Sequence, residues 1–352
     1  MRVRSPARRS LARAFDAVAE ATVAPSFSRV GIALRRRLEG WDEPPTMDGR
    51  VVVVTGATSG IGLAAAAGLA ALGATVHLVG RDADRARRAR AAVAAVGSGP
   101  VHVDLVDMGD PGAVADLATS LSERYEHLDA LVHNAGALTR TYQETPAGVE
   151  VTVATQVLGP YVLTTKLAPL LWWNPGATIV TVSSGGMYTQ RFDLDRLQTG
   201  PARYDGVVAY ARAKRAQVVL AHAWAHRFAP AGVASFAMHP GWVDTPGLQS
   251  GLPRFRARWR PLLRTPAEGA DTAVWLAAGG PAAEALARGE PVAASGFFHD
   301  RRSRPEHRVP LLRPTRPGDD DALLAWCAAR TGYETPFPAV AAKDGGRLGA
   351  ES

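Results

Sequence analysis

The chain has 352 residues, with 40 Lys and Arg against 33 acids and a formal net charge of +7. Its single cysteine, Cys327, excludes an internal disulfide framework, no Cys/His spacing suits a zinc site, and no apolar run reaches the roughly 18 residues needed to cross a bilayer. A basic balance of this kind suits nucleic acid, an anionic membrane surface or an anionic cofactor.

Residues 1–45 carry much of the excess charge, as Arg2, Arg4, Arg8, Arg9, Arg13, Arg29, Arg35, Arg36 and Arg37. Apolar residues such as Leu11, Phe15, Val18, Phe27, Ile32 and Leu38 recur between them, which predicts one or two short amphipathic helices broken near Pro25. Three readings stay open for this extension: docking on a membrane surface, packing on the edge of its own domain, or a targeting segment. A peripheral arm would be removable without loss of the main site.

From Arg50 onward, strand and helix alternate. Val51 to Val54 is a β-branched run suited to a strand buried on both faces, and Ala64 to Leu72 is small and helical. Further strands are expected at Thr75 to Val79, Val101 to Val103, Leu128 to Val132, Thr178 to Val182 and Val233 to Met238. This βαβ series predicts an α/β fold, a single-domain Rossmann-type doubly wound parallel sheet over residues 46–300. Residues 301–352 form a tail rich in Arg, Pro and Asp, with one short helix expected near Asp321–Arg330.

The first strand runs into Thr55-Gly56-Ala57-Thr58-Ser59-Gly60-Ile61-Gly62. Glycines at this spacing allow a tight turn and a close approach of backbone to a pyrophosphate at a helix N-terminus. The second strand ends in Gly80-Arg81-Asp82. Arg81 behind a small residue suits a ribose 2′-phosphate, hence NADP rather than NAD, while Asp82 either contacts the ribose or caps the next helix. Farther on, Lys214, one of only three lysines, follows Tyr210 by four residues. On a helix that spacing puts a phenol and an ammonium on one face, as a Tyr-based general acid/base requires and as an exposed pair also would.

These residues, in this order and each at a strand end, resemble the short-chain dehydrogenase/reductase family. The likeness covers roughly Arg50 to Asp300. It includes Asp104-Leu105 after the third strand, Asn134-Ala135-Gly136 after the fourth, Ser183-Ser184 after the fifth, and Pro240-Gly241 with Thr245 after the sixth. A finer resemblance, to the retinol-dehydrogenase-like members and the dehydrogenase/reductase member-twelve branch, rests on Val182 to Met187, Asp205-Gly206, His239 to Trp242 and Phe297 to Arg301.

The resemblance implies hydride transfer with Tyr210 as acid/base, Lys214 lowering the Tyr210 pKa and holding the nicotinamide ribose, and Ser184 bonding the reacting oxygen. It implies cofactor contacts from Thr55, Gly56, Ser59, Gly60, Ile61, Gly62, Arg81, Asp104, Leu105, Asn134, Ala135, Gly136, Tyr210, Lys214, Pro240, Gly241 and Thr245, and no metal. Where the family places an Asn that supports a water in the proton relay, this chain has Gln156. Restoring Asn there is expected to leave turnover unchanged or raise it.

Leu248 to Arg264 mixes Phe255, Trp259 and leucines with Arg254, Arg256, Arg258, Arg260 and Arg264. In the family this stretch covers the substrate. It reads either as a lid on an anionic membrane admitting a lipophilic carbonyl or alcohol, or as an amphipathic lid whose arginines are solvated. The expected protein is a cytoplasmic oxidoreductase, peripheral on a membrane if the basic segments dock there, with homo-oligomerisation left open. The alternatives are a cofactor-binding sensor with weak catalysis and, least favoured, a nucleic-acid binder.

Overall fold

The structure, a computed structural model, describes residues 15–20, 22–288, 294–308 and 315–334. Eight strands form one sheet in the order β3-β2-β1-β4-β5-β6-β7-β8. They are β1 (Val51–Thr55), β2 (Thr75–Gly80), β3 (Val101–Leu105), β4 (Ala130–His133), β5 (Thr178–Val182), β6 (Ala234–Met238), β7 (Ser295–His299) and β8 (Arg302–Ser303). All pairings are parallel except β7 with β8. The first six agree with the sequence reading; the last two are additional.

Alternation along β1 explains the layers. Val51 and Val53 enter one core, Val52 and Val54 the other, and all are buried. A short amphipathic helix, α1 (Arg29–Glu39), precedes the sheet. On one face lie α2 (Gly60–Ala71), α3 (Ala83–Ala94) and, from late in the chain, Pro266–Ala277. On the other lie α4 (Pro111–Arg124), α5 (Gly159–Trp172) and α6 (Gly206–Phe228). The helix Asp319–Thr331 packs Leu323, Leu324 and Cys327 into this second core, which accounts for the helix expected in the tail. The strand order reverses between β1 and β4, so a cleft opens at their carboxyl ends.

The N-terminal extension packs on the domain. Phe27 and Ile32 are buried, and Phe27 lies 4.5 Å from His239 and 6.1 Å from Trp242, ring centroid to centroid. Its carbonyl accepts the Trp242 amide at 2.8 Å. Arg35 of the extension and Arg264 of the Leu248–Arg264 segment are both fully buried. Arg35 bonds Asp16, Glu20 and Asp300 at 2.8, 2.8 and 2.6 Å. Arg264 bonds Asp300 at 2.6 Å and reaches the carbonyls of Ser26, Phe27 and Ser28. The lid reading of Arg264 is therefore corrected: it anchors the extension, because a buried guanidinium needs an acid and several acceptors. Residues 1–14 lie outside the described residues. No helix among the described residues is long and apolar enough to cross a membrane.

Asp300 sits in the turn from β7 to β8, where it and Arg301 adopt φ of 51° and 56°. Positive φ at non-glycine residues costs about 1–3 kcal/mol each and persists only when contacts hold it. Asp300 is held by Arg35 and Arg264; Arg301 is held by Asp271 at 2.8 and 2.9 Å and by the Asp42 carbonyl at 2.7 Å.

Candidate active site

The cleft at the β1/β4 switch point has a volume of about 280 Å³. Gly56, Ser59, Gly60, Ile61, Arg81, Asn134, Ala135, Gly136 and Thr245, all named from the sequence, line it. The loop after β1 and the one after β4 are tied together. Asn134 Nδ2 donates to the carbonyls of Thr55 and Gly56 at 3.0 and 3.2 Å, and the Thr55 hydroxyl accepts the amides of Asn134 and Ala135 at 3.0 and 3.1 Å. Gly56 is at φ 65°, and a Cβ there would meet Ala135 Cα at 2.8 Å, so only glycine lets the loops close this far.

This cradle fits a dinucleotide pyrophosphate. The neighbouring helices α3 and α4 are capped by the carboxylates of Asp82 and Asp110, but Ser59 makes no side-chain cap on α2. The N-terminus of α2 thus offers backbone donors and its positive dipole end to an anion in the cleft.

Asp82 accepts the Arg85 amide at 2.9 Å and pairs with its guanidinium at 3.1 Å, so it is committed as a cap. Arg81 is largely exposed and pairs with Asp107 at 3.1 Å. Arg85, Thr58 and Asp107 also line the cleft and were missed from sequence. Arg85 was legible only as the third residue after Asp82, on the helical turn facing the same strand end. Asp104 and Leu105 do not line the cleft; Val106 to Met108 take that place. Asp104 accepts from His77 Nδ1 at 2.8 Å instead, because its strand register points it along the face that carries His77.

At the ends of β5 and β6 the remaining residues meet. Ser184 caps the 3-10 turn Gly185–Thr189, accepting the Gly186 amide at 3.1 Å. Tyr210 and Lys214 share one face of α6, with Nζ 5.5 Å from the ring centroid. Lys214 Nζ donates to the Val182 carbonyl at 2.8 Å, and Ser183 Oγ donates to the Lys214 carbonyl at 2.8 Å. These two ties lock α6 against the strand end that carries Ser184. Pro240 and Gly241 follow β6; the Pro240 carbonyl accepts from Arg264, and Gly241 packs on Phe27 and Arg264.

Burial raises the Tyr210 pKa, and the nearby Ser184 hydroxyl opposes it. Burial draws Lys214 down to about 7. Ser184 is the group that offsets burial at the phenol, while the Lys214 ammonium, 5.5 Å from the Tyr210 ring centroid, donates to Val182 and Gln217.

Gln156 lies in a π-helical turn, Ala154–Leu158, the kind of local distortion that frequently marks functional sites. It is buried and donates from Nε2 to the Ala137 carbonyl at 2.8 Å. Its Oε1 has no hydrogen-bond partner among the described residues, which leaves an acceptor facing Gly136.

Residues 50–253 match the short chain dehydrogenase family. The chain belongs to the short-chain dehydrogenase/reductase family. It is similar to "Dehydrogenase/reductase SDR family member 12" of Bos taurus, 41% identical over 278 residues that cover 78% of this chain and 84% of the relative. It is similar to "Retinol dehydrogenase 11" of Mus musculus, 33% identical over 239 residues, 66% of this chain and 74% of the relative. A solved structure from Beutenbergia cavernae with bound NADP matches at 26% identity and TM-score 0.58, over 73% of this chain and 97% of the other. As a short-chain dehydrogenase/reductase, the protein is an NAD(P)-dependent oxidoreductase.

Proposed function

We propose that this protein is an NADP(H)-dependent oxidoreductase that interconverts a lipophilic carbonyl and its alcohol, with Tyr210 as the proton donor and acceptor. The observation that carries this reading is the meeting of Ser184, Tyr210 and Lys214 beyond the carboxyl end of β5, on the same edge of the parallel sheet as the cleft of β1 and β4. A bound nicotinamide dinucleotide would supply or accept the hydride. In reduction, the carbonyl carbon gains that hydride with its two electrons, and the oxygen takes the phenol proton of Tyr210. The phenolate left behind is steadied by the Lys214 ammonium, and Ser184 donates to the oxygen as charge develops. A half-buried phenol whose pKa is raised keeps its proton at neutral pH, which suits the acid role.

NADP preference rests on Arg81 and Arg85 at the mouth of the cleft, with Asp82 held as the cap of α3 and paired with Arg85. A lipophilic substrate rests on the aromatic cluster of Trp242, Phe255 and Trp259, with centroid distances of 4.9–6.4 Å. A second cleft of about 370 Å³ is lined by Leu138, Tyr204, Val207 and Gly251, the last of which precedes Phe255 by four residues. Exposed Arg254, Arg258 and Arg260 on the same segment suit an anionic membrane surface as the source of such a substrate.

The test is a panel of aldehydes, retinoids and steroids assayed for NADPH and NADH oxidation. Turnover of apolar carbonyls with NADPH supports the reading. Binding of NADPH with no turnover on any of them would favour a cofactor-binding sensor instead.

A further inference from the structure

Lys214 is held by a residue to which the sequence assigned no role. Gln217 lies three positions along α6, on the same face. Lys214 Nζ donates to Gln217 Oε1 at 2.9 Å as well as to the Val182 carbonyl at 2.8 Å. Gln217 is fully buried, and the ammonium fixes which way its amide points. With Oε1 on the cation, Nε2 has no hydrogen-bond partner among the described residues. A buried amide with an orphaned donor destabilises a fold, and an apolar residue of similar volume would not. Such a residue at a reaction centre calls for a functional explanation.

We propose that Gln217 is a positioning residue for hydride transfer: its carboxamide oxygen, together with the Val182 carbonyl, holds the Lys214 ammonium charged and aimed along the face that carries Tyr210. The proposal rests on the reading of Tyr210 and Lys214 as the reacting pair. Burial works against the charged form of Lys214, and two carbonyl acceptors work for it.

The other groups near α6 do not take this role. On its own helix there are Tyr210, Arg212 bonded to the Arg196 carbonyl, Arg215 bonded to the Gln190 and Glu306 carbonyls, and farther along His222, His226 and Arg227. From the elements packed against it come Ser183 and Ser184 after β5, Tyr188 on the following turn, His133 on β4 and His239 after β6. Burial keeps Tyr188 protonated and both imidazoles neutral. The acids on this side are engaged elsewhere: Glu150 with Tyr204, Glu306 with His222, Asp320 with His226 and Asp321 with Arg227.

The chain's lysine count makes a direct test practical. Only Lys166, Lys214 and Lys343 would carry an ε-13C label. Their NMR titration in the full chain gives three curves, and Lys214→Met identifies one of them. Gln217→Leu is expected to move the Lys214 midpoint down by about one pH unit, and Gln217→Glu to move it up, with Lys166 and Lys343 unmoved. The melting temperature of Gln217→Leu should equal or exceed that of the wild type. In carbonyl reduction, kcat/KM of Gln217→Leu should fall roughly tenfold, with its alkaline limb following the NMR midpoint.

A Lys214 midpoint that neither variant moves overturns the proposal. So does an activity loss matched by a fall in melting temperature with no shift of the limb, which would make Gln217 merely structural. If the NMR midpoint moves in both variants but Tyr210→Phe stays active, the catalytic reading itself fails. If Tyr210→Phe is dead and the midpoint is unmoved, only the positioning role fails.

Discussion

Cε2 of Phe27 occupies the place a side chain on Gly185 would need: a Cβ there would lie 2.4 Å from it. Phe27 comes from the basic extension, and Gly185 follows Ser184 in the candidate site. The extension is therefore a wall of the site, wedged between the loops after β5 and β6. Phe27→Ala is expected to cost about 3–5 kcal/mol of stability, as large-to-small core changes do, and to raise KM for carbonyl substrates. Thermal melting and steady-state kinetics check this. A deletion of residues 1–45 that leaves melting temperature and activity intact would restore the extension to a detachable arm.

Asp300 is the acid on which that wall is pinned. Burial alone would raise its pKa, but Arg264 and Arg35 outweigh burial and hold it low. Asp16 behaves alike: burial is offset by Arg304 and Arg35, which bring it to about 2. A carboxyl whose folded pKa is depressed stabilises the fold fully above its unfolded pKa of about 4, and that stability is lost as pH falls through the folded value. Acid titration between pH 5 and about 2 should loosen the extension. Asp300→Asn, which strands two buried guanidinium groups, should cost about 3–5 kcal/mol at neutral pH. Denaturant melts at pH 7 and pH 3 measure both effects.

The first six strands were legible because β-branched runs such as Val51 to Val54 cannot serve a surface helix well. β7 and β8 were not, because Gly296-Phe297-Phe298 is short and β8 has two residues. Glycine loop, Asn134, Ser184, Tyr210 and Lys214 were legible because their spacing is set by local turns and one helix. The burial of Arg35 and Arg264 was not: its cause is Asp300, 265 residues from Arg35, and nothing local distinguishes a buried arginine from a solvated one. Gln217 was missed because its value lies in a bond to Lys214 rather than in any motif.

Arg81 and Arg85 frame the cleft mouth with no competing acid at Gly80. Arg81→Ala should weaken NADPH binding roughly tenfold and leave NADH binding nearly unchanged, since the lost contact is charge-assisted and specific to the extra phosphate. Arg85→Ala should act in the same direction. Fluorescence titration with both dinucleotides checks this; tighter NADH binding by the wild type would reverse the assignment.

The bond from Gln156 Nε2 to the Ala137 carbonyl changes what restoring Asn should do. Asn is one methylene shorter and would pull the carboxamide away from Ala137, loosening the loop beside Gly136. Gln156→Asn is therefore expected to lower turnover severalfold with little change in cofactor affinity, the opposite of what the family pattern alone suggests. Turnover equal to or above wild type would show that the Ala137 bond is dispensable.

In the proposed mechanism, Tyr210 delivers the proton while the glycine cradle holds the cofactor. Single-turnover oxidation of NADPH by Tyr210→Phe, with a carbonyl that the wild type reduces and with the cofactor Kd measured on the same sample, tests it most directly. The expected result is a hydride-transfer rate lower by roughly 10²–10⁴ and a Kd within a factor of about two of wild type. A rate within a few-fold of wild type would contradict it.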